Sequence, residues 1–592
     1  MDFTQTHSQT IVGGQSGFAV PLVVAVTGHR DLVAAELPAI RERVRAFLAG
    51  LVSGYPDRGV AVMTALAEGA DQLVAEEAYA LGIPLIVPLP MPRDLYIKDF
   101  SGARARENFE LFCSRAAEVY ELPVTPGNTP DTISEQGNSR DQQYAQLGVF
   151  LCAHCHILLA LWDGKDNGRL GGTGQVVRFH HDDVMPGYTA ELTGVGLAHA
   201  DDESDLVYHI VCSRNRDDGQ PAEPLQAGDY WWFSLDEAEP RSKNLPESHR
   251  RVFRFTSEFS RDASTFADQI RAAAWPLLPK EQFAALPSGL RDIDHMFRAA
   301  DWLAIHFQKL TLRTLRATHV LALLMGLTYI GYSDMLPLRV FLYAFLGFFV
   351  AAAALHEFGK RRSWHRKYLD YRTLAEGLRV QFYWAAAGVH AGGKSKYMHD
   401  TFLQTQDPDL GWIRNVMRVA GTECDAANYQ DKAGLDFALR EWLGNRDSGQ
   451  LGYFRRKGEE KLRRFRRTER MAGIAFWAGF AAIAFFILMS TELESVFRDP
   501  VIILMGVMLL SVGIRQSYGD RVADGELIKQ YDFMFRIFSN ARRRIDAAGS
   551  DEEKRRVLRA LGDAALGEHA QWILMHRERS LEQGEIFRMS GG

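Results

Sequence analysis

Cysteine is scarce: five in 592 residues (Cys113, Cys152, Cys155, Cys212 and Cys424). So few, so scattered, exclude a disulfide framework and point to a reducing compartment. An excess of charge of one sign is missing too, with 68 basic against 74 acidic residues and a formal net charge of −6. Nothing global therefore calls for nucleic acid as a partner. Residues 1–19 lack a basic start followed by an apolar run, so no cleavable secretion signal is expected, and this stretch reads as a flexible leader. Length alone suggests three or four domain-sized units.

Charge is also missing from four long stretches, Ala317–Ser333, Val340–Leu355, Met471–Thr491 and Pro500–Ile514. A bilayer core takes roughly 17–25 apolar residues, so the third is comfortable alone, whereas the second and fourth need flanking residues or local thinning. The runs are apolar on every face and each pair is joined by a short loop, unlike the one-sided helices of a soluble bundle. They predict four transmembrane helices in two hairpins. Basic residues flank the hairpins: Lys309, Arg313 and Arg316 before the first span, Lys360, Arg361, Arg362, Arg366 and Lys367 after the second. Lys461, Arg463, Arg464, Arg466, Arg467 and Arg470 precede the third, and Arg515 and Arg521 follow the fourth, whereas the hairpin loops are poor in them. Basic flanks stay inside, which predicts an inner-membrane protein with both termini cytoplasmic. The basic run Arg455–Arg470, set against a span, suits lipid headgroups and topology better than nucleic acid. Without a charged residue in any span, an ion-coupled transporter is disfavoured. After each hairpin comes a polar helix with an apolar stripe: Tyr371, Leu374, Leu378 and Phe382, then Ile528, Tyr531, Phe535 and Phe538. Either stripe could pack within the chain or against another copy.

Residues 20–215 have a different rhythm. Apolar strands at Leu22–Val26, Val60–Thr64, Pro84–Leu89, Ile157–Trp162 and Leu206–Val211 alternate with helical patterns at Glu36–Leu51, Gln72–Leu81, Gly102–Ala117, Gln142–Cys152 and Gln175–Phe179. This alternation predicts a Rossmann-like α/β domain with a parallel sheet covered on both faces. Ligands in such sheets sit beyond the carboxyl ends of the strands, where strand order reverses. The unusual clusters all fall there: Gly28, His29 and Arg30; Glu68, Gly69 and Asp71; Arg93; Asp163; and Gly171, Gly172, Thr173 and Gly174. Small residues admit a phosphate to the backbone, and a following helix N-terminus favours negative charge. Arg30 and Arg93 offer guanidinium forks, while Asp71 and Asp163 suit ribose hydroxyls. A phosphate-bearing, nucleotide-derived ligand is expected, with no firmly implied cofactor. Glu68 and Asp163 form a conceivable acid–base pair, but no catalytic residue is assigned.

The series TGHR, ALAEGADQLVAEEA, LIVPLPMPRDLYIKDF and LALWDG with GGTGQVV resembles the SLOG superfamily of Rossmann-like domains. The resemblance implies a nucleotide pocket lined by Gly28, Arg30, Glu68, Gly69, Gly172 and Thr173. The lonely-guy enzymes of that superfamily carry PGGxGTxxE, and Gly171–Val177 lacks both that pattern and its glutamate, which favours sensing over hydrolysis. The stretch Tyr371–Arg379, with Trp442, Leu443, Gln450, Tyr453, Phe454 and Lys457, resembles the SLATT family of paired transmembrane helices. That likeness implies an oligomeric pore or membrane-disrupting effector of bacterial antiviral defence, answering a cyclic-nucleotide or ADP-ribose type of signal. A membrane-anchored nucleotide hydrolase and a membrane scaffold without ligand sensing are the alternatives.

Other clusters carry less. Cys152, His154, Cys155 and His156 have metal-ligand chemistry but straddle a helix end and a strand, so no zinc site is assigned. The segment His180–Asp183 reads as a surface loop after a helix. Tyr230, Trp231 and Trp232 suit a small core beside the domain better than a base-stacking platform. Residues 216–246 read as a linker or loop, 247–316 as a helical connector, and 317–386 as the first hairpin with its helix. Residues 387–470 read as a helical insert, 471–545 as the second hairpin with its helix, and 546–592 as a helical tail.

Overall fold

The computed structural model describes residues 17–182, 184–187, 205–234, 241–389, 402–403, 408–427, 431–489, 495–522 and 524–585. Two compact units emerge: one built from the chain to Leu303 with Arg372–Asp436 and the residues from Gly562, the other from Ala304–Tyr371 and Phe437–Leu561.

The first unit is organised by eight strands: β1 (Leu22–Gly28), β2 (Val60–Met63), β3 (Leu85–Leu89), β4 (Glu118–Glu121), β5 (Ile157–Trp162), β6 (Val207–Val211), β7 (Tyr230–Phe233) and β8 (Arg241–Ser242). Their order in the sheet is β4-β3-β2-β1-β5-β6-β7-β8. From β4 to β6 every pair is parallel, and β7 and β8 add on antiparallel. The sheet is thus mixed and mainly parallel. β2, β3, β5 and β6 are buried along their whole length, as continuous Val, Ile and Leu runs require when both faces are covered. Around them lie α1 (Leu37–Gly54), α2 (Ala70–Ala80), the single turn α3 (Arg93–Tyr96), α4 (Ala103–Arg115), α5 (Asn138–His154) and α6 (Thr173–Asp182).

The remaining helices are α7 (Glu247–Thr265), α8 (Ala267–Ala273), α9 (Leu290–Ile330), α10 (Arg339–Arg361), α11 (Trp364–Ala387), α12 (Gly411–Ala420), α13 (Thr422–Ala427), α14 (Lys432–Ala438), α15 (Gly449–Met489), α16 (Ser495–Val522), α17 (Asp524–Ala547) and α18 (Asp551–Glu585).

Several sequence boundaries move. Residues 17–19 do not belong to a leader: Phe18 is buried and its ring stacks 4.2 Å from His295. Residues 1–16 lie outside the described residues. The 216–246 segment is more than a linker, because it supplies β7. Trp232 there packs against Phe47 and Tyr208 at 5.8 and 4.9 Å, on a strand of the main sheet and not in a separate small core beside it. Nor is 387–470 one insert. α12, buried at every position, belongs to the sheet unit, and the carbonyl of Arg418 lies 2.8 Å from His154 Nδ1 on α5. The end of α18 belongs there too, with Gly562 directly against the Trp384 ring.

The second unit is all helix among its described residues. Three segments are long and apolar enough to cross a membrane: Leu290–Met335, Arg339–Ala387 and Pro500–Gly519, and none of their most apolar windows is buried. The third apolar run continues α15 through Met489, and its last two residues, 490 and 491, lie outside the described residues. α9 meets α16 through small residues, as expected where helices approach without a hydrophobic drive. A Cβ on Gly326 would lie 2.3 Å from Leu510, and one on Gly506 would lie 3.4 Å from Ile330. Beyond the apolar segments, the second apolar stripe packs within the chain: Tyr531 and Phe538 of α17 lie 6.1 and 5.3 Å from Phe454 of α15. The first stripe is likewise buried at Tyr371, Leu374, Leu378 and Phe382.

Candidate functional site

Strand order reverses between β1 and β5, since the chain runs outward from β1 to β4 and then returns to β1's other side. The turns leaving β1, β2 and β5 meet beyond this crevice. Gly28 ends β1 where a Cβ would lie 2.4 Å from Ala70 and 3.0 Å from the Leu161 carbonyl. Gly69, at φ +83°, lies where a Cβ would be 2.4 Å from the Arg30 carbonyl. Only glycine suits that combination of left-handed backbone and close approach. The Ala70 amide then donates to the His29 carbonyl at 3.0 Å, tying the β2 turn to the β1 turn.

The β2 turn is heavily determined. Asp71 accepts from the Thr64 hydroxyl at 3.1 Å, Thr64 Oγ1 accepts from the Leu66 amide, and Leu66 itself has φ +59°. Gln72 donates to the carbonyls of Leu66 and Ala105. A non-glycine residue held at positive φ by surrounding bonds marks stored strain, which gathers at functional sites. Burial pushes the Asp71 carboxyl up to about 7, against the pull of Thr64 and the amides of Ala67 and Ala65.

Across the crevice, His29 Nε2 lies 3.1 Å from Asp163 Oδ1 at the end of β5, both residues buried. Burial works against the Asp163 charge, but hydrogen bonds from His29 and the Lys165 amide hold its carboxyl below the ordinary value. Its second oxygen, Oδ2, is buried and without a hydrogen-bond partner among the described residues.

Arg30, exposed, donates to the Tyr144 hydroxyl at 3.2 Å, with its guanidinium 5.5 Å from that ring's centre. Tyr144 donates in turn to Asp99, and Asp99 pairs with the buried Arg140 at 2.8 Å. A continuous chain of polar contacts thus fixes Arg30's phenolic neighbour. The Tyr96 ring lies 6.3 Å from Tyr144, and its buried hydroxyl has no partner among the described residues. Gly171, at φ +71°, abuts this α5 surface, where a Cβ would lie 2.6 Å from the Ala145 nitrogen and 2.8 Å from Tyr144 Cβ. The glycine turn before α6 therefore reaches the same cluster.

The sequence-derived residues sort accordingly. Gly28, His29, Arg30, Gly69, Asp71, Asp163 and Gly171 come together through these contacts. Gly172 and Gly174 are packed against Arg169 and against Lys165 and Asp166, and Thr173 opens α6. Their space is taken by the chain's own backbone. Glu68 accepts from the amides of Ser101 and Gly102 at 2.7 and 3.0 Å, so a carboxylate of the chain occupies the start of α4. Arg93 pairs with Glu110 and lies over Phe109, which occupies its guanidinium fork. Glu68 and Asp163 have separate partners, and an Asp163 carboxyl held ionised is unsuited to donate a proton near neutrality.

Tyr96, Asp99, Arg140 and Tyr144 were absent from the sequence-derived set. A signal existed in Tyr96 and Asp99, both within PRDLYIKDF, but Tyr144 and Arg140 sit on a helix whose residues looked ordinary.

No protein-family model matches the chain, and no curated protein is detectably similar to it.

The metal-type clusters disperse. Cys152 donates toward the Val176 carbonyl, His154 meets Arg418 and Asp425, and His156 Nδ1 accepts from the Val23 amide. His180 bonds the Leu206 carbonyl and His181 stacks on Phe233, while Asp183 lies outside the described residues. Among the described residues no three His, Cys, Asp or Glu side chains are arranged to hold a metal.

Proposed function

We propose that the α/β unit binds a phosphate-bearing, nucleotide-derived small molecule, of cyclic-nucleotide or ADP-ribose type, at the carboxyl edge between β1 and β5. The observation that carries this reading is Arg30. Its guanidinium stands exposed where strand order reverses, engaged by a phenol, with no carboxylate pairing it among the described ion pairs. Fixed by Tyr144, Asp99 and Arg140, it presents a charged fork to phosphate oxygens. The unpartnered Tyr96 hydroxyl and Asp163 Oδ2 supply a donor and an acceptor for the rest of the ligand. The likeness of the motifs to the SLOG superfamily supports the same reading.

In this proposal the apolar helices cross the inner membrane four times, with both termini in the cytoplasm. The outward-facing side chains of Ile474, Trp477 and Phe480 on α15 support a fourth span beside the three apolar segments. The SLATT-like features favour a homo-oligomeric pore or membrane-disrupting effector in bacterial defence. A ligand shifts such packing only by its difference in affinity between two states, so the pocket and the spans must be coupled.

The test uses the full chain in detergent, with a panel of cyclic nucleotides and ADP-ribose derivatives, reading its melting temperature. A ligand that raises the midpoint of the wild type and not of Arg30→Ala supports the proposal. A panel with no effect on the wild type sinks it.

A further inference from the structure

We propose that Arg463, Arg466, Arg467 and Arg470 form a docking face for the phosphates of anionic phospholipids. Steps of three, four and seven residues put the four on one face of α15, one turn above the other. All four are exposed, and with Met471 they line an open groove of about 370 Å³.

What marks them is the lack of an ion-pair partner for their guanidinium groups among the described residues, with Glu460 acting on Arg463 only through space. Two turns earlier on α15, Arg455 pairs with Asp447 at 3.0 Å and Lys457 with Glu460 at 2.8 Å. None of the four arginines has an ion pair or hydrogen bond among the described residues. Like charges at these spacings repel and destabilise a helix unless an external anion neutralises them. Guanidinium groups answer that need best with phosphate, through paired N–H donors in a fork.

The surroundings choose the source of the phosphate. Directly after Arg470 the helix turns apolar and stays exposed, at 60% for Met471, 70% for Ile474 and 66% for Trp477. Tryptophan at this distance from a basic cluster suits the boundary between headgroups and acyl chains. A lipid satisfies the arginines with its headgroup and the adjoining surface with its tails. Free phosphate or nucleic acid would satisfy only the first. Each arginine near an anionic surface adds to the attraction. The inference rests on the membrane-spanning reading of α15.

The experiment places the full chain in nanodiscs of phosphatidylcholine alone and of phosphatidylcholine mixed with phosphatidylglycerol. Melting midpoint and lipid retained on native mass spectrometry are the readouts. The anionic lipid should raise the midpoint by several degrees and be retained selectively. Arg466→Gln with Arg470→Gln should remove most of that rise, and Arg466→Lys with Arg470→Lys, which keeps the charge but not the fork, should restore only part of it. Equal midpoints and equal retention in both discs overturn the inference, as does a Gln pair that responds like the wild type. So does an equal rise on adding inorganic phosphate or a short oligonucleotide to the neutral discs. If the Gln pair fails to incorporate, the wild-type comparison and the Lys pair decide. Carbonate extraction of native membranes reports separately on the underlying reading: a chain that washes off was never embedded.

Discussion

The sheet of the first unit and the apolar helices of the second are built from the same side chains and turn them in opposite directions. Every residue of β5, Ile157–Trp162, is buried, whereas Val340, Tyr343, Leu346, Phe349 and Val350 of α10 all face outward. Hydropathy therefore says how much apolar surface must leave water, and the fold says where it goes: into the protein or into another apolar phase. Two kinds of glycine show the same contrast. In the α/β unit Gly69 and Gly171 stand where backbone meets backbone. On α10, Gly347 has nothing within 4 Å of the position a Cβ would take.

The sharpest way to break that contrast is to place the same side chain at both kinds of glycine. Gly69→Val combines a disallowed φ of +83° with contacts of 2.4 and 2.6 Å to the Arg30 and His29 carbonyls. Both neighbours are backbone and neither can rotate away, so the expected loss is ~3–5 kcal/mol, enough to unfold the α/β unit. Gly347→Val should change stability by no more than about 0.5 kcal/mol. Thermal melting followed by circular dichroism in detergent checks both, and equal losses would erase the distinction.

Buried charge is the next difference. The four apolar runs hold no Asp or Glu, while the α/β unit buries Asp71 with its carboxyl pushed up to about 7. The same group titrates near 3.9 when unfolded. The folded state thus keeps a proton that the unfolded chain gives up, and the stability this contributes is complete below pH ~4 and lost as pH rises through about 7. The change is at most about 4 kcal/mol, from three pKa units at 1.36 kcal/mol each. Melting midpoints of the wild type should fall between pH 5 and pH 8, and Asp71→Asn should flatten the profile. A variant with the wild-type slope would show that the pH dependence lies elsewhere.

A smaller effect tests helix contacts. Gly562→Ala in α18 places a methyl 2.2 Å from the buried Trp384 ring, which has nowhere to move, and should lose ~1–3 kcal/mol. Gly326→Ala meets only the tip of Leu510 at 2.3 Å, a flexible end that can change rotamer, and should lose less than about 1 kcal/mol. Denaturant or thermal melts of the two variants should differ in that order, and the reverse order would mean that the α9–α16 contact is the more rigid.

Much of this was legible in the sequence because it rests on short-range pattern. Five parallel strands showed as unbroken apolar runs, and the three helices long and apolar enough to cross a membrane as stretches without charge. β4 did not show, because Glu118–Glu121 is a four-residue edge strand with a glutamate at each end and no buried residue. β7 was obscured by the turn-rich residues before it. α12 could not be assigned to the sheet unit, since its burial depends on neighbours distant in sequence. At the site, sequence placed Gly28 and Arg30 at the end of β1 and Gly69 in the turn after β2. It could not tell that Glu68 is spent on α4, or that Arg30 is fixed by Tyr144, because partners 33 and 114 residues away leave no local mark.

Arg93 and Arg30 carry the smallest and most discriminating prediction. Both follow strands of the sheet and looked equivalent as phosphate forks. Arg93 is half exposed and paired with an equally exposed Glu110, so Arg93→Ala should change stability by less than about 1 kcal/mol. Its guanidinium is also already occupied, so the variant should keep the midpoint rise produced by any nucleotide that binds the wild type. Arg30→Ala should be similarly mild without ligand, since it leaves the Tyr144–Asp99–Arg140 contacts in place, yet lose that rise entirely. If Arg93→Ala loses it too, the ligand displaces Glu110, and the pocket extends past α3 toward α4.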